Sequence, residues 1–274
     1  MPEGPEIKRA ADAIARVLEG KTIESAALEH PSLQGMENYI EGHTVTGVET
    51  RGKALLTHFS SSKTMYSHNQ LYGVWKVTAN GKAPRTNRAL RVGLHTNDHS
   101  ALLYSATDIS LWDTSNVNEH PFLVRLGPDL LADGLTAEDL TARLVNPEFE
   151  NRRLASLYLD QKFIAGVGNY LRSEILFFAG LNPLLKPKAL HLKVKKRLAR
   201  NTLTIGQRSY RTGGITLPKK LVQKNSKRGG RYYERDRFAV FARAGKPCRT
   251  CRTPVEKAVL ASRRIYWCPK CQAE

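Results

Sequence analysis

All four cysteines of this 274-residue chain fall in one short stretch, as Cys248-x2-Cys251 and Cys268-x2-Cys271 with sixteen residues between the pairs. That spacing matches a tetrahedral site in which four thiolates hold one zinc ion. Four thiolates leave no coordination position open for an activated water, so the zinc is expected to be structural. Two disulfides are the competing reading, disfavoured in the reducing compartment that this chain suggests. Arg252, Lys257, Arg263 and Arg264 lie between the pairs and can meet phosphate, which makes the module a candidate reader of nucleic acid.

A second group with chemistry is Met1-Pro2-Glu3-Gly4-Pro5-Glu6. A small second residue is expected to permit removal of the initiator methionine, exposing the secondary amine of Pro2. An α-amino group titrates near pH ~8, and the positive end of a following helix increases its neutral fraction. Such an amine can form an iminium with a sugar C1′. Glu3 and Glu6 are close enough in sequence to serve proton transfer. Both also suit a plainer role, complementing a helix dipole.

Regular elements must position these groups. Ile7, Ala10, Ala11, Ile14, Val17 and Leu18 share one face of a helix predicted over residues 5–19, with Pro5 in its first turn and Gly20 at its stop. From about residue 44 to 106 the chain has short runs rich in β-branched and aromatic residues: Ala54 to Phe59, Thr64 to Ser67, Tyr72 to Val77, Leu90 to Thr96 and Ala101 to Ser105. Turn-forming stretches separate them, which predicts an antiparallel sheet or sandwich. Helical patterns return after Pro128, at Asp139 to Leu144, Leu154 to Phe163 and Asn169 to Ala179, the last two flanking Ala165-Gly166-Val167-Gly168. A basic helix over Lys193 to Leu203 follows, then a Gly- and Lys-rich segment, Gly213 to Arg231, expected as a mobile loop.

Lys and Arg outnumber Asp and Glu 43 to 25, a net charge of +18 that suits a polyanionic partner, either nucleic acid or a membrane surface. Residues 1–125 carry 13 of each sign, while residues 126–274 carry 30 basic and 12 acidic side chains. The second half is therefore the better candidate for gripping phosphate, a solvated basic face being the plainer reading. No stretch approaches the roughly 18 apolar residues of a membrane span, and the first residues are unlike a signal peptide. A cytoplasmic protein with no membrane partner is expected.

Pro2-Glu3-Gly4-Pro5-Glu6, Arg51-Gly52-Lys53, Gly166-Val167-Gly168-Asn169-Tyr170 and the zinc finger occur in the order seen in the Fpg/Nei family of DNA glycosylases, which the chain resembles over nearly its whole length. Ala54-Leu55-Leu56-Thr57-His58-Phe59 and Ser67-His68-Asn69-Gln70-Leu71-Tyr72-Gly73-Val74-Trp75 resemble the Nei branch in particular. The resemblance implies an α+β protein: an N-terminal β-sandwich catalytic domain (1–124), a helical domain with a helix-two-turn-helix element (125–237) and a zinc finger (238–274). It implies a monomeric, nucleoid-associated DNA glycosylase/AP lyase acting on damaged double-stranded DNA, with DNA between the two larger domains.

By the same resemblance Pro2 attacks C1′ of the damaged nucleotide, expels the base and forms a Schiff base, after which β- and δ-elimination cut the strand. Glu3 matches the general acid that protonates the sugar ring oxygen, and Glu6 a supporting carboxylate. Lys53, Asn169 and Arg263 match phosphate contacts beside the lesion, with Arg264 an alternative to Arg263. A lone lysine is more often solvated, and Asn169 also suits an ordinary helix cap. Gln70, Leu71 and Tyr72 match a wedge that fills the gap left by the flipped base, although on pattern alone Leu71 and Tyr72 suit a strand core equally. Oxidised pyrimidines are the expected lesions. Gly213 to Arg237 is longer and more basic than the Nei branch leads one to expect, which keeps an oxidised-purine preference open. A zinc-ribbon DNA-binding protein without chemistry is the rival from another class.

Overall fold

A computed structural model describes residues 2–80, 82, 84–222, 227–228, 231–232 and 234–273. The chain divides into two compact units, Met1–Arg125 and Leu126–Glu274. No helix among the described residues is long and apolar enough to cross a membrane.

The first unit begins with α1 (Gly4–Leu18), whose face of Ile7, Ala11, Ile14 and Leu18 is buried as its periodicity predicts. Strands β1 (Ser25–Ala27), β2 (Val45–Arg51), β3 (Ala54–Phe59), β4 (Lys63–His68), β5 (Val74–Ala79), β6 (Leu90–His95), β7 (His99–Tyr104) and β8 (Asp108–Asp113) follow. They form two four-stranded antiparallel sheets, in the orders β2-β3-β4-β8 and β1-β6-β7-β5. Leu55, Phe59, Met65 and Ile109 of one sheet share a core with Trp75, Val92, Leu94, Ala101 and Leu103 of the other and with α1. Each large side chain so buried contributes about 2 kcal/mol of hydrophobic stabilisation.

The second unit holds α2 (Ala137–Val145), α3 (Pro147–Glu150), α4 (Leu154–Leu157), α5 (Asn169–Ala179), α6 (Leu192–Arg211) and α7 (Glu234–Arg237). A two-residue pair, β9 (Lys227–Arg228) with β10 (Arg231–Tyr232), precedes α7, and the hairpin β11 (Glu256–Leu260) and β12 (Arg263–Trp267) lies within the cysteine module. Of the segment expected as a mobile loop, residues 223–226 and 229–230 lie outside the described residues.

Two helices differ from expectation. The one read over Leu154 to Phe163 ends at Leu157, because Asp160 and Gln161 turn their side chains onto local backbone. Asp160 accepts from the Lys162 N–H (2.8 Å), and Gln161 bonds Val167 O (2.9 Å) and Gly166 N–H (3.1 Å). Such bonds compete with helix continuation. The basic helix instead runs eight residues past Leu203, to Arg211, held by buried Ile205 and Ser209.

Candidate active site and nucleic-acid interface

In the first unit, Pro2 is half-buried directly before α1, and Glu3, 3% exposed, is the N-cap residue of that helix. The Glu6 carboxylate accepts the Glu3 backbone N–H at 3.1 Å and lies 3.4 Å from the Arg9 guanidinium. Glu6 thus caps the helix and, as an acid in its first turn, also suits the dipole role that was its plainer reading. Glu3 takes part in the same capping box and is a carboxylate kept almost wholly from water beside Pro2.

Lys53 sits in a two-residue turn joining β2 to β3, where Gly52 has φ 65 and Arg51 pairs with Ala54. A glycine suits that left-handed position. Lys53 is only 9% exposed, so it is not the solvated lysine of the plainer reading. Ala54 pairs with His68, which brings the Lys53 turn to the sheet end where β4 leads into the segment 69–73.

That segment is a tight projection. The Gly73 N–H donates to Asn69 O at 2.7 Å, and a Cβ on Gly73 would lie 2.5 Å from the same oxygen, so glycine is required. Gln70 takes φ 51, with its N–H on His68 Nδ1 (3.0 Å) and its Nε2 on Asp108 Oδ2 (3.3 Å). Leu71 and Tyr72 are 53% and 67% exposed, which rules out the strand-core reading. Burial holds the His68 imidazole below its usual value, with the Lys53 charge acting in the same direction and Asp108 opposing it.

In the second unit, Gly168 occupies the cap position of α5 and Asn169 is its first helical residue. The Asn169 side chain accepts from Arg172 Nη2 at 2.6 Å. Arg172, 0% exposed, also donates to Ala155 O (2.8 Å) and Arg264 O (3.0 Å), and comes within 3.5 Å of Arg263 O. Arg263 and Arg264 are exposed on β12 beside a turn whose central residues, Ala261 and Ser262, both have positive φ (53 and 58). One buried guanidinium therefore joins the start of α5 to the hairpin of the cysteine module, bringing Asn169, Arg263 and Arg264 together.

Glu174, two residues further along α5 and fully buried, accepts from Thr216 Oγ1 (2.5 Å) and from the N–H groups of Ala239 (2.8 Å), Val240 (2.9 Å) and Phe241 (2.9 Å). Burial pushes its carboxyl up, against these donors. Sequence reasoning passed over Arg172 and Glu174; their signal was two charges inside an otherwise apolar helix.

The sulfurs of Cys248, Cys251, Cys268 and Cys271 lie within 4.8 Å of one another, with 3.9 Å between Cys248 and Cys271 and 3.4 Å between Cys251 and Cys268. Zinc–sulfur bonds of ~2.3 Å give tetrahedral edges of ~3.8 Å, so the four sulfurs fit one structural zinc ion. All four cysteines are free of disulfides. Hydrogen bonding to Thr253 lowers the Cys251 thiol to about 6, whereas burial pushes Cys268 and Cys271 up. Four thiolates at this spacing call for a compensating cation.

Three family matches cover this geometry in order. The formamidopyrimidine-DNA glycosylase N-terminal domain matches residues 1–108, the formamidopyrimidine-DNA glycosylase H2TH domain residues 117–220, and the zinc finger found in FPG and IleRS residues 245–273. The chain belongs to the Fpg/Nei family of DNA glycosylases. Endonuclease 8 of Shigella sonnei (strain Ss046) is 48% identical over 272 residues, covering 99% of this chain and 100% of the relative. Endonuclease 8 of Escherichia coli (strain K12 / DH10B) shows the same identity and coverage, 48%, 99% and 100%. Full-length kinship of this kind makes this family member a base-excision-repair DNA glycosylase and AP lyase. A Lactococcus lactis Fpg bound to DNA containing N7-benzyl-Fapy-dG superposes with a TM-score of 0.82 at 20% identity, covering 100% of both chains. The same enzyme with abasic-site DNA gives 0.81 at 20% identity, covering 99% of this chain and 100% of that one. These neighbours share the fold.

Proposed function

We propose that this enzyme removes oxidised pyrimidines from double-stranded DNA and cuts the strand through a Schiff base on Pro2, by β,δ-elimination. The reading rests above all on Glu3, a carboxylate buried at the first turn of α1 directly beside Pro2. Once Met1 is removed, the neutral Pro2 nitrogen attacks C1′, the C1′–base bond breaks, and Glu3 gives its proton to the ring oxygen as the sugar opens. Loss of the 3′ and then the 5′ phosphate leaves a one-nucleotide gap.

Lys53, nearly buried at its turn, acts as a point charge for a phosphate beside the lesion. With Oδ1 of Asn169 occupied by Arg172, its Nδ2 is the donor for a second phosphate, and Arg263, with Arg264 next to it, supplies a third contact. Exposed Leu71 and Tyr72, with Gln70, enter the stack where the base leaves. Glu6 supports the geometry of Glu3 through the capping bond. The Nei-like segments Ala54–Phe59 and Ser67–Trp75, in a chain 48% identical to endonuclease 8, support pyrimidine over purine lesions. We propose further that the enzyme acts as a monomer in the cytoplasm, on nucleoid DNA.

Single-turnover cleavage of duplexes carrying one oxidised pyrimidine or one oxidised purine tests the lesion class. The pyrimidine duplex is expected to be cut at least tenfold faster; a faster cut of the purine duplex would overturn the assignment.

A further inference from the structure

Helix α6 breaks the usual rules of helix charge. It carries seven Lys and Arg residues and no acid in twenty residues, and Lys193, Lys195, Lys196 and Arg197 crowd its first two turns. Cations there oppose the macrodipole, at roughly 0.3–1 kcal/mol each at low ionic strength. Lys193 and Arg197, and likewise Lys196 and Arg200, are like charges four residues apart, each pair destabilising by roughly 0.2–0.5 kcal/mol.

At Lys193, Lys196 and Arg200 no carboxylate among the described residues offsets this, and Lys186 and Lys188 likewise have none at ion-pair distance. All five are exposed, and the opposite face of the helix is buried through Leu198, Ala199, Thr202 and Ile205. A local rule broken without local gain points to an external partner.

The patch is remote from the proposed phosphate contact at Asn169. The C-terminal end of α6 lies beside the start of α5, where Tyr170 and Ser209 hydroxyls bond at 2.8 Å. Thirteen residues back at 1.5 Å each place Lys196 roughly 20 Å from that contact, about six base-pair steps of duplex.

We propose that Lys186, Lys188, Lys193, Lys196 and Arg200 form a second phosphate-binding face, which takes the backbone of duplex DNA beyond the lesion site. The inference rests on the DNA-repair reading. Charge complementarity selects the occupant: a regular row of phosphates relieves the crowded cations, and released counterions drive the contact without base readout. The face would hold the enzyme on undamaged DNA between lesions.

The test is Lys193→Gln/Lys196→Gln/Arg200→Gln in the full-length zinc-loaded protein. Binding is measured against salt on lesion-free long duplex and on a duplex reaching about five base pairs, roughly 17 Å, either side of an abasic analogue. The variant is expected to lower the log K against log salt slope on long DNA by about 2–3, at 0.9 per cation, and to leave the short-duplex slope unchanged. Its thermal midpoint should equal or exceed that of the unsubstituted protein, since the substitutions relieve repulsion.

An unaltered slope on long DNA overturns the proposal, and is what a site for an acidic protein would give. An equal fall on both duplexes also overturns it, by putting the patch inside the lesion footprint. Failure of the unsubstituted enzyme to cut a lesion duplex counts against the repair reading, while the slope on lesion-free DNA still decides the patch.

Discussion

Arg172 donates to the Asn169 side chain over 2.6 Å from a position with no solvent exposure, and the same nitrogen reaches Arg264 O at 3.0 Å. Two elements far apart in sequence, the start of α5 and β12, are thereby set by one charge. Arg172→Ala removes the tie and leaves several buried acceptors unmatched, a loss of about 3–5 kcal/mol by analogy with broken buried networks. Denaturant unfolding should show that loss. Arg172→Lys keeps the charge without the planar fork, and is expected to weaken binding to abasic-analogue DNA by about tenfold while costing less stability. Unchanged affinity in both variants would show that Asn169 and the β12 arginines are positioned by something else.

Leu71 and Tyr72 supply the opposite case, large side chains spending their area on solvent. Leu71→Ala and Tyr72→Ala should each move stability by no more than about 0.5 kcal/mol. Excision from a paired duplex should nonetheless fall about tenfold or more, with a smaller effect on a preformed abasic site. A large drop in the unfolding midpoint with normal excision would return both residues to the core.

Zinc removal has a bounded effect. Cys248 and Cys268 share a core with Phe177, Ile215, Leu217, Val240 and Tyr266, so a chelator should loosen β11, β12 and residues 215–217 together and abolish lesion binding. The first unit, whose core contains no cysteine, should keep its amide protection. Hydrogen exchange with and without chelator distinguishes this from global unfolding, which would contradict a purely local role for the metal.

His68 and His120 give the pH dependence. Burial lowers both imidazoles, and each accepts a backbone N–H through Nδ1, from Gln70 (3.0 Å) and Phe122 (3.1 Å). A lowered folded-state value means that the unfolded chain takes up the proton first. Stability from these residues is therefore present above the unfolded value of ~6.5 and is lost as pH falls below it. Imidazole NMR titrations of the two should have midpoints below 6.5, and His68→Asn, which preserves the acceptor, should blunt the acid loosening of residues 69–73. Midpoints above 6.5 would reverse the sign.

Legibility in the sequence followed simple apolar patterns. The α1 face matches expectation because a 3.6-residue repeat governs it, and β3 and α5, buried at nearly every position, because each is an apolar-rich run bounded by turn residues. β2 was indistinct because Gly47 and four charged or polar positions leave it little apolar alternation, and β8 because it is closed by Asp108 and Asp113. The early end of α4 depends on Asp160 and Gln161 bonding local backbone, which no apolar pattern records. The cysteine site could be read from spacing alone. Arg172 and Glu174 could not, because their partners lie up to 92 residues away and their burial makes sense only after the fold brings those partners in.

The central claim is covalent chemistry at Pro2 assisted by Glu3. Borohydride trapping on abasic-site DNA, with the N-terminus verified by mass spectrometry, tests it most directly. The processed enzyme is expected to give an adduct that maps to Pro2, Pro2→Gly to give far less, and Glu3→Gln to lose base excision by orders of magnitude. A correctly processed, zinc-loaded protein that binds the DNA and yields no adduct would contradict the account and leave a binding protein without chemistry.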